Sequence, residues 1–149
     1  SAEETLQFLI PHGLVVTREY PENLRKTHSL QVTPIIWLTE SPGERRIAPT
    51  SLTVLTDTIM RFMETNPNSI VLIEGVEYLA TFNDFKKVLR SLDSLNEIAW
   101  VTKSRLIIAL NPAAFDPKDL ALLERDRTVL KGKSAIDELI RESMVQGAQ

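Results

Sequence analysis

The chain reads as an α/β domain with a mainly parallel sheet of four to five strands and helices on both faces. Three observations lead there. Strand-like and helix-like segments alternate along the 149 residues, as βαβ units require. The strand-like segments are apolar without interruption, and a strand apolar on both faces must be covered on both faces. The helix-like segments carry apolar residues three and four apart, which gives each one face for a core. Crossovers are expected to be right-handed. The strand order has no signature in the sequence.

Each element has its own cause. Residues 2–10 read as a helix with Leu6, Leu9 and Ile10 on one face, broken by Pro11 and Gly13. Leu14 to Thr17 is a short buried strand, and Glu22 to Lys26 allows one helical turn after Pro21. Pro34 opens a second strand, Ile35 to Thr39, and Ser41-Pro42-Gly43 is a turn. Arg45 and Arg46 fall in the loop that follows. Thr50 or Ser51 caps a helix to about Thr65, with Leu52, Leu55, Ile59, Phe62 and Met63 at helical spacing. Asn66-Pro67-Asn68 ends it, and Ile70 to Ile73 is the third strand. Asn83 suits the cap of a long helix with Phe85, Val88, Leu89, Leu92 and Leu95 inward, ending between Ile98 and Lys103. Arg105 to Leu110 is the fourth strand, closed by Asn111-Pro112. Asp116 and Pro117 start a short helix through about Arg125, with Asp119 in its first turn. Thr128 to Leu130 allows a fifth strand, and Ser134 begins a final helix.

Bulk properties narrow the function. The length fits one domain, 1–149, able to bury a sizeable core. The net charge of −3 gives no electrostatic case for nucleic acid or an anionic membrane. Without cysteine the chain has no disulfide, thiolate metal site or cysteine nucleophile, and a reducing compartment, the cytoplasm, is expected. No apolar stretch approaches the roughly 18 residues of a membrane helix.

The stretch SIVLIEGVEYL, from Ser69 to Leu79, is the most telling. An apolar run ends on Glu74 and then Gly75. Many ATPases hold a magnesium-bound water with an acid in that position. They also need a glycine-rich loop whose amides cradle phosphates, with a lysine on the β and γ oxygens. The nearest string is Gly132-Lys133-Ser134, and its missing first glycine falls at Arg127. Thr128, Val129 and Leu130 between them suit a strand, so Gly132 reads as a turn and Ser134 as a helix cap. Nucleotide is therefore disfavoured as a ligand, and no cofactor is expected.

In a parallel sheet the strand ends collect on one rim, where ligands bind in such folds. That rim would gather Arg18 and Glu19 with Thr17, Glu40 with Thr39 and Ser41, then Glu74, Gly75 and Glu77, and finally Asn111. It reads either as a ligand or partner surface or as polar turns that strands require anyway. Other candidates are poorer. His12 and His28 lack metal-ligand spacing, and no catalytic serine elbow is present, so neither a metal site nor a catalytic residue is assigned. Arg45 and Arg46 suit either a solvated loop or an anion grip. Trp37 is expected in the core, and Trp100 near a helix end as a partly exposed contact residue. The final helix carries a stripe of Ile136, Leu139, Ile140 and Met144, which closes the core or docks on a second copy or a neighbouring domain.

Four strings resemble one family: LVVTREYPENLR (Leu14 to Arg25), PIIWLTESPGERRIAPTSL (Pro34 to Leu52), SIVLIEGVEYLATFNDFKKVL (Ser69 to Leu89) and RLIIALNPAAFDPKDLALLER (Arg105 to Arg125). They are similar in order and spacing to the archaeal domain-of-unknown-function family numbered 835, over nearly the whole chain. The resemblance implies an archaeal intracellular domain, alone or attached to signalling modules. It also implies a layout similar to KaiC-type and other RecA-like ATPases, without the phosphate loop. Relatives usually have one more strand before the first helix, so this chain is expected to lack the family's first strand. The family transfers no catalytic residues. The expected function is a non-catalytic interaction or signal-transduction module, with protein partners or a second copy of itself. The alternative is a nucleotide- or metal-dependent enzyme, with Glu74 as metal or water ligand and Arg18 or Arg46 as phosphate contact.

Overall fold

The computed structural model describes residues 13–28 and 33–131. The expected helix over 2–10, His12, the Gly132-Lys133-Ser134 string and the stripe of Ile136, Leu139, Ile140 and Met144 lie outside them. Six strands form one sheet: β1 (Gly13–Thr17), β2 (Ile35–Leu38), β3 (Arg46–Ile47), β4 (Ile70–Glu74), β5 (Arg105–Leu110) and β6 (Thr128–Lys131). Their spatial order is β3-β2-β1-β4-β5-β6, and all five pairings are parallel. Helices α1 (Pro21–His28), α2 (Leu52–Thr65), α3 (Val76–Phe82), α4 (Phe85–Thr102) and α5 (Pro117–Glu124) connect them, with a single 3-10 turn at Pro112–Ala114.

The uninterrupted apolar strands have two cores, one on each face. Val16, Ile36, Val71, Ile73, Ile108 and Leu110 meet residues from α2, α3, α4 and α5, including Ile59, Met63, Leu79, Leu92 and Leu123. The alternate strand residues Val15, Ile35, Leu72, Ile107 and Leu130 form the second core with Leu24 of α1. Full burial of a side chain such as Ile59 or Ile107 contributes about 1.5–3 kcal/mol. Helices thus lie on both faces, as the continuous strands require.

The sheet has more strands than the sequence predicts. The extra one is β3, placed in the sequence reading within a loop. It holds only Arg46 and Ile47 and joins the edge through Trp37 N–H to the Arg45 carbonyl at 2.9 Å and Thr39 N–H to the Ile47 carbonyl at 3.1 Å. Two residues of mixed polarity carry no strand periodicity. The third strand extends one residue further, so that Glu74 pairs with Ala109. Helix α3 has no counterpart in the sequence reading. It follows Gly75 immediately and buries Val76 and Leu79, three apart. The long helix starts from Asp84 rather than Asn83. Asn83 ends α3 instead, and its amide donates to the carbonyls of Pro49 (2.8 Å) and Leu79 (2.9 Å). The turn expected at Glu22 to Lys26 is an eight-residue helix. Among the described residues, no helix is long and apolar enough to cross a membrane.

Candidate functional site

The chain leaves β1 toward β2 on one side, while β4 leads to β5 on the other. Between β1 and β4 the strand order reverses, and the crevice beyond such strand ends is where open α/β sheets bind ligands. Register fixes which residues meet there. Val16 pairs with Ile73 and Thr17 with Trp37, so Arg18 and Glu19 leave the sheet beside Glu74 and Gly75.

The turn after β1 is built by Thr17. It is fully buried, and its hydroxyl accepts from the Glu19 N–H at 2.9 Å. The Arg18 carbonyl accepts from Trp37 Nε1 at 3.1 Å. The Arg18 guanidinium lies 5.0 Å from the Tyr78 ring centroid. Its aliphatic stem runs across Gly75, where an added Cβ would sit 3.5 Å from Arg18 Cγ. Gly75 has φ +103°, a left-handed conformation that glycine adopts without steric cost. This glycine lets β4 turn at once into α3 and so brings Tyr78 under the arginine.

A second stack adjoins the first. Arg46 of β3 lies 4.7 Å from the Trp37 ring, and Tyr20 meets the same ring edge-on at 5.3 Å. Tyr78 in turn meets Phe82 edge-on at 5.1 Å. Tyr20 is 48% exposed and Phe82 38% exposed. Trp37 is therefore not the core residue the sequence predicts. It is half-buried and ties the rim together, because it stands near the end of β2, where its Nε1 reaches the Arg18 carbonyl. Arg46 is likewise no loose loop residue but sits on an edge strand, with a ring beneath it.

Glu74 is half-buried at the floor of the crevice. Burial pushes its carboxyl above the usual carboxylate range, and the nearby charges of Glu19 and Glu77 push it the same way. One oxygen of Glu77, Oε2, is buried without a hydrogen-bond partner. Among the described residues, no group of three or more His, Asp or Glu side chains is placed to hold a metal ion.

The structure therefore brings together Arg18, Glu19, Glu74, Gly75 and Glu77 from the predicted rim. Glu40 is exposed in the loop between β2 and β3. Asn111 serves its own turn, accepting from the Ala113 N–H at 3.1 Å. Tyr20, Tyr78 and Phe82 join that group, though none belongs to the rim that the strand ends predict. An aromatic three residues past a strand-end glycine becomes a signal once the glycine is known to start a helix.

A family model described as "Protein of unknown function (DUF835)" matches residues 2–126. No curated protein matches the chain.

Proposed function

The chain belongs to that family of unknown function, and from this premise we propose a non-catalytic module for protein interaction and signal transduction. We place it in the archaeal cytoplasm, with a layout like that of KaiC-type and RecA-like ATPases but no phosphate loop. The adjacency of β1 and β4 supports that layout. The resemblance equates these with the strand after the phosphate-loop helix and with the acidic strand. The rim at the strand ends is the docking surface, for a protein partner or a second copy.

One observation carries the reading: both rim arginines are stacked on aromatic rings, Arg18 on Tyr78 and Arg46 on Trp37. The Arg18 stem lies against Gly75, so the arginine is held along its length as well as at its head. A surface of arginine, tryptophan and tyrosine, held in place and part exposed, has the composition of an interface hot spot. Light scattering and pull-down with Arg18→Ala and Tyr20→Ala test it. Loss of self-association or of a defined partner is the expected result, and unchanged binding in both variants overturns the assignment of the rim.

A specific observation favours the enzyme alternative. A carboxyl raised above its ordinary range by burial and by two neighbouring acids is a common mark of functional sites. In that reading Glu74 is the metal or water ligand and Arg18 or Arg46 the phosphate contact. Isothermal titration with ATP and magnesium decides between the two. The interaction reading expects the same isotherm from the native chain and from Glu74→Gln. Magnesium-dependent, micromolar binding that this variant abolishes would end it.

A further inference from the structure

A second polar cleft lies away from the aromatic rim, between the start of α2 and the first turns of α4. It measures about 400 Å³ and is lined by Thr50, Ser51, Thr53, Lys87, Arg90 and Ser91, with Asn83 and the first-turn residues Leu52 and Val54. Two cations and four hydroxyl groups line it, and no acid does. That is a local excess of positive charge in a chain whose net charge is −3.

The two cations come from one helix and the hydroxyls mainly from the other. Lys87 and Arg90 are three residues apart on α4 and so share a face. Among the described residues, neither side chain makes a hydrogen bond or an ion pair. Opposite them, α2 begins without an acid in its first turn and without a side-chain cap from Ser51. The first amide of the turn with a carbonyl partner is that of Leu55, which donates to Ser51 at 3.0 Å. The amides of Leu52, Thr53 and Val54 have none among the described residues. The floor is fixed: the Asn83 amide bridges Pro49, before α2, to Leu79 of α3. Exposed cations without a protein partner on one wall thus share the cleft with unpaired amide donors and hydroxyls on the other. An oxyanion satisfies both, with charge-assisted hydrogen bonds from Lys and Arg and neutral ones from the backbone.

We infer that this cleft binds the phosphate group of a small phosphorylated molecule. Its volume falls in the range of small-ligand pockets, about 300–1,000 Å³, which leaves room for more than the phosphate itself. The cleft uses no residue of the rim, so this inference stands apart from the interaction reading.

The test is an amide NMR titration of the native chain without divalent metal, at constant ionic strength, first with inorganic phosphate and then with an alkyl phosphomonoester. Saturable shifts confined to the amides around Thr53 and Val54 are expected. The double variant Lys87→Gln, Arg90→Gln should weaken phosphate binding about tenfold or more, the loss of one to two charged contacts. Lys86→Gln removes an equal charge from the neighbouring residue, which does not line the cleft, and should leave the affinity within about twofold. Glu74→Gln should leave it unchanged. Linear or absent shifts, or equal weakening by Lys86→Gln, would overturn the site. An ester bound about tenfold more weakly than inorganic phosphate would overturn its assignment to phosphorylated molecules.

Discussion

The guanidinium of Arg18 lies 5.0 Å from the ring centroid of Tyr78, so the first residue after β1 is held by the helix that follows β4. The two strands are neighbours, and the stack bridges the segments that leave their ends. A cation over an exposed ring is worth about 0.5–1 kcal/mol. A double-mutant cycle with Arg18→Ala and Tyr78→Ala should give a coupling energy of about that size. Tyr78→Phe should keep most of it, since the ring and not the hydroxyl faces the cation. A coupling near zero in urea unfolding would show that the two side chains do not support each other.

Glu74 makes the fold sensitive to pH in a definite direction. Its native carboxyl titrates above the ordinary value, through burial first and then Glu19 and Glu77. The native state therefore holds this proton more tightly than the unfolded chain does. Its contribution is fully present below the ordinary carboxylate range and is lost as pH rises through the raised native value. Glu74→Gln removes the loss. The variant should melt higher than the native chain at pH 7, and the gap should close at pH 4. An equal gap at both values would mean that the effect is one of packing rather than of charge.

Gly75 offers a cleaner measure of backbone strain. The nearest atoms to a Cβ there belong to the Arg18 stem, at an ordinary contact distance of 3.5 Å, while the backbone stays at φ +103°. Gly75→Ala should therefore cost about 1–2 kcal/mol, nearly all of it conformational. Gly75→Asn should cost less, because asparagine visits left-handed conformations more readily. If alanine and asparagine cost the same in denaturant titrations, steric contact and not dihedral preference sets the price.

The sequence made much of this visible, for reasons that differ between elements. Continuous apolar runs such as Leu14 to Val16 and Leu106 to Leu110 encode a strand covered on both faces, and the structure buries every one of these residues. The spacing of Leu55, Ile59 and Met63 encodes the inner face of α2. Trp100, expected near a helix end and partly exposed, is 67% exposed. What was illegible depends on contacts between distant segments. Arg46 and Ile47 join the sheet only because Trp37 and Thr39 offer them hydrogen bonds. Trp37 looked like a core residue, since nothing local shows that Arg46 and Tyr20 flank its ring. The cleft of Lys87 and Arg90 depends on α2 and α4 lying side by side, and strand order decides that.

Arg127 shows how a polar side chain can secure the far edge of the same sheet. Its side chain is 1% exposed. Nε donates to the Leu123 carbonyl at 2.6 Å, and Nη2 donates to Asp93 at 2.7 Å and to the Leu122 carbonyl at 3.4 Å. Leu122 and Leu123 stand in the last turn of α5, whose carbonyls lack helical partners and carry the negative end of the helix dipole. The guanidinium caps that end and anchors it against α4. The two partners should not be equivalent. Asp93 is 59% exposed and can rehydrate when alone, so Asp93→Asn should cost under about 1 kcal/mol. Arg127→Ala strips buried carbonyls of charged donors and should cost about 2–3 kcal/mol. Arg127→Lys should fall between, because an ammonium keeps the charge and loses the fork. Urea unfolding of the three variants would show this order, and equal costs for Asp93→Asn and Arg127→Ala would place the stabilisation in the ion pair instead of the cap.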